Sequence, residues 1–130
     1  MKVVDASVLV SALADDGPQG EPARHALARE ALAAPEIVDI EFLSAMRGLR
    51  RSGQLSDRRA EKAITDIAQA SVARSPHRPL LQRIWELRDN LSAYDAAYVA
   101  LAELVEAPLL TADHALASAP GLRCEIVLVG

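Results

Sequence analysis

Aromatic side chains make up only 3% of the 130 residues: Phe42, Trp85, Tyr94 and Tyr98 are the full set. That is too few for the stacking platforms on which many single-strand binders lay successive bases. Cysteine is scarcer still. With Cys124 alone, neither an intrachain disulfide nor a multi-cysteine zinc site can form, and the three histidines are scattered. A reducing, cytoplasmic setting is the expectation. Positive charge is in deficit, with 14 Lys and Arg against 18 Asp and Glu and a formal net charge of -4. Coating nucleic acid by bulk charge is thereby excluded. No uncharged run approaches the roughly 18 residues that a membrane span needs. Asp5 interrupts the first apolar run directly after Met1 and Lys2, so no signal peptide, anchor or membrane partner is expected.

What remains is globular. Hydrophobic residues are 51% and charged residues 25%, too apolar a balance for a disordered chain. The length suits one domain over residues 1–130, able to bury roughly two-thirds of its unfolded surface in one core. Ala and Leu fill that core in place of aromatics, which favours helices packed closely on a flat layer.

Local patterning gives the order of elements. Lys2 to Asp5 reads as a strand, Ala6 to Ala14 as a helix and Asp15 to Gly20 as a loop. Glu21-Pro22 opens an Ala-rich helix expected to reach about Ala34. Glu36-Ile37-Val38 is a strand candidate, followed by a helix carrying Phe42, Leu43, Met46 and Leu49 up to Ser52-Gly53. Ser56 can cap the next helix, and Val72-Ala73-Arg74 is a weak strand. Leu80 to Leu91 and Tyr94 to Val105 carry helical stripes. Pro108 to Thr111 and Glu125 to Val129 are the last strands, separated by a short helix beginning near His114. Helices alternating with short apolar strands predict an α/β fold, a three-layer α/β/α domain with a mostly parallel central sheet.

Four acids fall where such a fold places chemistry. Asp5 ends the first strand, Glu41 is expected in the turn after the second, Asp95 opens a helix and Asp113 follows the Pro108 to Thr111 strand. Ligands of open α/β sheets bind outside the carboxyl ends of the strands, so all four can face one crevice. Each also has an ordinary structural reading. Asp5 and Asp113 can cap helices, Glu41 sits where a helix dipole favours an acid, and Ser92-x-x-Asp95 has capping-box spacing. Clustered carboxylates repel one another unless a cation joins them. A hard divalent ion such as Mg2+ answers that need, binding through a few carboxylates and substrate phosphate oxygens.

The runs Val3-Val4-Asp5-Ala6-Ser7-Val8-Leu9-Val10, Asp39-Ile40-Glu41-Phe42-Leu43-Ser44-Ala45, Ser92-Ala93-Tyr94-Asp95-Ala96-Ala97-Tyr98 and Leu109-Leu110-Thr111-Ala112-Asp113 resemble those of PIN-domain ribonucleases, in particular VapC toxins of toxin–antitoxin pairs. The four motifs occur in the family's order over nearly the whole chain. The resemblance implies a PIN-like fold and a metal-dependent endoribonuclease in which Asp5, Glu41, Asp95 and Asp113 hold Mg2+ or Mn2+. Thr111 and Ser7 match small hydroxyl positions that orient a carboxylate or a water, or make plain turn hydrogen bonds. The resemblance further implies structured RNA, tRNA or rRNA loops, as substrate. Its implied partners are a VapB-like antitoxin that sends a basic side chain toward the acids and a second copy in a homodimer.

The basic residues are unevenly spread. Between Glu41 and Lys62, six bases face three acids, so this segment is net positive while the rest of the chain is strongly negative. Arg47, Arg50 and Arg51 in this segment are candidate phosphate contacts, with simple solvation of a helix face as the ordinary reading. Two other functions compete with the nuclease. A receiver-like phosphate acceptor needs a late lysine, and Lys2 and Lys62 are the only lysines. A non-catalytic PIN-like module would bind RNA or protein and keep its acids as caps.

Overall fold

The β-branched run Lys2–Val4 forms β1, and in a computed structural model describing residues 1–130 this strand lies at the centre of a five-stranded sheet. Strands β2 (Leu32–Pro35) and β4 (Leu109–Thr111) flank it, and β3 (Val72–Ser75) and β5 (Ile126–Leu128) form the edges, in the order β3-β2-β1-β4-β5. Every pairing is parallel, with Val3 opposite both Ala33 and Leu109. Val3, Val4, Leu109 and Leu110 are buried, as strands covered on both faces require.

The helices divide into two layers. On one, α1 (Ala6–Ala14) packs against α2 (Glu21–Leu27), α3 (Ile37–Arg51) and α4 (Asp57–Gln69). On the other, α5 (Leu81–Glu86) packs against α6 (Ala93–Leu104), which lies across β1, β2 and β4. A short α7 (His114–Ala117) sits beside β4 and β5. Helix α6 is buried at every position from Ala96 to Ala102, so it is enclosed nearly all round. The three-layer α/β/α architecture is the expected one, and its sheet is parallel throughout. No helix is long and apolar enough to cross a membrane.

The chain leaves β1 toward β2 but leaves β4 toward β5, on the opposite side. The order therefore reverses between β1 and β4, and their carboxyl ends border the crevice where sheets of this kind bind ligands.

Three expected elements are corrected. The helix opened by Glu21 ends at Leu27, well short of Ala34, and Arg29 takes a positive φ of 63°. Residues Leu32–Pro35 form β2 instead, because pairing with β1 and β3 outweighs the helix preference of alanine. The strand expected at Glu36-Ile37-Val38 is the start of α3, so Glu41 lies in that helix and not in a turn. Val38, Phe42 and Met46, spaced by four, bury one face of α3. The first amide of the helix, Ile37 N–H, donates to His77 Nε2 at 3.0 Å. Asp39 in the first turn pairs with the Arg74 guanidinium of β3, at 2.8 and 3.2 Å. Farther along, the helix expected from Leu80 to Leu91 is only the six residues of α5, preceded by a 3₁₀ turn at Arg78–Leu80. Trp85 stands on the surface with Arg88 stacked 4.5 Å from its ring centre, and Cys124 packs half-buried against the core.

Candidate active site

Asp5 follows β1 directly, and its backbone N–H donates to Leu110 O at 2.9 Å, which holds it in line with the sheet. Its side chain is buried and does not cap α1. Instead Asp5 Oδ2 accepts from Thr111 Oγ1 at 2.7 Å and from Ser7 Oγ at 2.9 Å. Both hydroxyl oxygens accept in turn: Thr111 Oγ1 from Asp113 N–H at 3.0 Å, and Ser7 Oγ from Ala112 N–H at 3.0 Å. Ser7, Thr111 and the Ala112-Asp113 backbone thus fix one carboxylate oxygen at the β1–β4 crevice.

The other three acids are half-buried around the same sheet end. Asp95 lies in the first turn of α6, whose cap is Ser92 Oγ accepting from Asp95 N–H at 3.2 Å. Asp113 caps α7, with Oδ1 accepting from Ala115 N–H at 2.9 Å and Leu116 N–H at 3.4 Å. Glu41 projects from α3, and its Oε1 accepts from the hydroxyl of Tyr98 on α6 at 2.5 Å.

Their electrostatics link all four. Burial raises the Glu41 pKa above the ordinary carboxylate value; the Tyr98 hydrogen bond opposes this, and the charges of Asp5 and Asp95 add to it. Burial likewise raises Asp95, reinforced by Asp5 and Asp113 and opposed by Ser92. None of the ion pairs in the structure includes any of the four. Four carboxylates therefore share one region without a cationic side chain to balance them. In donor chemistry the set is all oxygen, suited to a hard divalent ion. As they stand, no three Asp, Glu, His or Cys side chains converge closely enough to form a ready metal centre.

The PIN domain model matches residues 2–122 of this sequence. The chain belongs to the PIN-domain family. The PIN domain is 42% identical over 128 residues to Ribonuclease VapC1 of Mycobacterium tuberculosis, covering 98% of this chain and 96% of that protein. It is 42% identical over 129 residues to Ribonuclease VapC9 of the same organism, covering 99% and 98%. Among solved structures, PAE2754 from Pyrobaculum aerophilum superposes with a TM-score of 0.72 at 24% identity, over 96% of this chain and 81% of that one. VapC20 of Mycobacterium tuberculosis, described as a toxin cleaving the sarcin-ricin loop, gives 0.69 at 18% identity over 95% and 97%.

The PIN domain does not gather the three arginines at its acids. Helix α3 carries Arg47 about 9 Å and Arg51 about 15 Å along its axis from Glu41. Leu49 and Leu55 share a cleft with Val10 and Ala14, at the end of α1 remote from Asp5. Arg50 is paired with Asp57, whereas Arg47 and Arg51 are exposed. Arg59, in the same basic segment, donates to the Leu13 and Ala14 carbonyls that end α1.

Tyr98 is the site residue that sequence reasoning passed over, because at helical spacing it reads as one more member of an apolar stripe. Two signals mark it. It stands one turn after Asp95, and a buried tyrosine hydroxyl needs a partner.

Proposed function

We propose that this chain is the ribonuclease toxin of a toxin–antitoxin pair, hydrolysing phosphodiester bonds in structured RNA with Mg2+ or Mn2+ held by Asp5, Glu41, Asp95 and Asp113. The observation that carries this reading is the uncompensated carboxylate cluster at the β1–β4 crevice, in a chain whose relatives are named ribonucleases. A divalent cation supplies, when bound, Lewis acidity toward water and neutralisation of charge on phosphate oxygens. The chain's own part is to keep its oxygens in place. Ser7 and Thr111 hold Asp5 from one side, and the α7 amides hold Asp113. The test is incubation of purified protein, free of any partner, with labelled RNA in Mg2+ or Mn2+ and in chelator. Metal-dependent cleavage supports the reading. Its absence would favour the non-catalytic module, for which the capping duty of Asp113 already speaks.

A stability experiment tests the same cluster without RNA. Because Glu41 and Asp95 have raised pKa values in the fold, the folded state binds more protons than the unfolded one between the ordinary and the raised value. Their contribution is thus most favourable at low pH and is lost as pH rises through that window. At neutral pH, Asp95→Asn is expected to raise the melting temperature of metal-free protein, and the gain should vanish near pH 4. Added Mn2+ should stabilise the unmodified protein more than the variant. Melts showing no pH dependence of the difference would count against mutual repulsion at the site.

The remote arginines fit phosphates flanking the cut rather than the scissile one. Replacing Arg47, Arg50 and Arg51 together should flatten the salt dependence of RNA binding, by a slope of about 0.7 for each lost single-strand contact. Arg50, already paired with Asp57, should contribute least. An unchanged slope takes α3 out of the RNA path. The toxin reading also carries a VapB-like antitoxin and a homodimer as proposed partners; a solved toxin–antitoxin complex from Klebsiella pneumoniae shares the fold, with a TM-score of 0.64 at 21% identity over 98% of this chain and 96% of that one.

A further inference from the structure

The hydrogen bond between Tyr98 and Glu41 joins residues 57 apart and ties α6, on one face of the sheet, to α3, on the other. Tyr98 is fully buried within the core, while Glu41 is only half-buried. The phenol is therefore the rigid member of the pair.

The other acids show what this bond does. Asp5 has two hydroxyl donors, and Asp113 has two helix amides. Glu41 is the longest and most flexible of the four, repelled by Asp5 and Asp95, and its one side-chain donor is Tyr98. Glutamate gives up much of its rotamer freedom on being fixed. Without the phenol, that freedom and the repulsion both favour rotation toward solvent. In this bond the Tyr98 hydroxyl donates and the Glu41 carboxylate accepts, so the phenol acts on the acid as a fixed donor.

Resting on the metal-dependent nuclease reading, we infer that Tyr98 is a positioning residue whose hydroxyl fixes Glu41 Oε1 and leaves Oε2 for the divalent cation. It touches no reacting atom. Partners of this kind behind a metal ligand typically contribute 10- to 100-fold in metal affinity or activity.

The experiment is a Mn2+ titration, followed by electron paramagnetic resonance, of the unmodified protein, Tyr98→Phe, Glu41→Gln and the double variant, beside cleavage of a labelled RNA. Tyr98→Phe keeps the ring and removes only the donor. It should weaken Mn2+ binding by about 10- to 100-fold, and its cleavage rate should recover as Mn2+ is raised. In the Glu41→Gln background the same substitution should change Mn2+ affinity little, because the carboxylate it positions is gone. Tyr94→Phe, on the exposed face beside Asp95, should match the unmodified protein. Unchanged affinity in Tyr98→Phe, or an equal loss in both backgrounds, overturns the inference while leaving the nuclease reading intact. If Tyr98→Phe does not fold, Glu41→Asp makes the comparison from the other side: too short to span the same gap, it should also weaken Mn2+ binding, and full affinity overturns the inference. Unmodified protein that neither binds Mn2+ nor cuts RNA overturns the nuclease reading and this inference with it.

Discussion

Asp5→Asn is expected to leave the fold intact and to lower RNA cleavage in Mg2+ or Mn2+ by about a thousandfold. The fold should survive because the carboxamide oxygen can still accept from Thr111 and Ser7, so no buried hydroxyl loses its partner. What disappears is a full negative charge at the centre of the sheet's crevice. A metal site offers several kcal/mol of charge stabilisation in the transition state, and each 1.4 kcal/mol is a factor of ten in rate. Asp5 should matter more than Asp113, whose Oδ1 is already committed to the amides of α7. Circular dichroism checks the fold, and a gel of labelled RNA checks the chemistry. Chelator-insensitive cleavage that persists in Asp5→Asn and co-elutes with the protein through a second purification would sink the assignment.

The largest loss of stability is expected from Phe42→Ala. Phe42 is 0% exposed and sits next to Glu41 on α3, at the middle of the stripe formed with Val38 and Met46. Removing a buried phenyl ring costs about 3 to 5 kcal/mol, a large part of the 5 to 15 kcal/mol that holds a typical domain together. For a chain of this size that corresponds to a fall in melting temperature on the order of 10 to 20 °C. Cleavage measured well below the new midpoint should fall far less than in Asp5→Asn, since the carboxylates remain. Thermal melts decide the first claim, and the ratio of the two activities decides the second. A loss under about 1 kcal/mol would mean that α3 is anchored mainly by its polar contacts, His77 at its first amide and Arg74 at Asp39.

Much of this architecture could be read before any fold was in view, for local reasons. Lys2 to Val4 changes abruptly from β-branched to the Ala-Ser of a helix, so Asp5 had to lie at a strand end. Ser92 and Asp113 carry cap chemistry that operates over three residues, and both helices begin where that chemistry places them. The misreadings arose where distant partners decide. Leu32–Pro35 is rich in alanine and becomes a strand because β1 and β3 stand on either side of it. Ile37 and Val38 have strand-like side chains but enter a helix, whose first amide is met by His77, forty residues away. Tyr98 escaped for the same reason. Nothing within its own helix says that its hydroxyl meets a glutamate from the opposite layer.

The hydrogen bond between Thr111 and Asp5 spans 106 positions of sequence. A ribosome adding about 5 to 20 residues each second separates the appearance of these two side chains by roughly 5 to 20 seconds. Throughout that interval the growing chain carries Asp5, Glu41 and later Asp95, but not the strand that completes the crevice beside them. The acidic centre is thus assembled among the last events in the making of the protein, and a chain released before β4 lacks both the Thr111 hydroxyl that holds Asp5 and the Asp113 carboxylate that follows it.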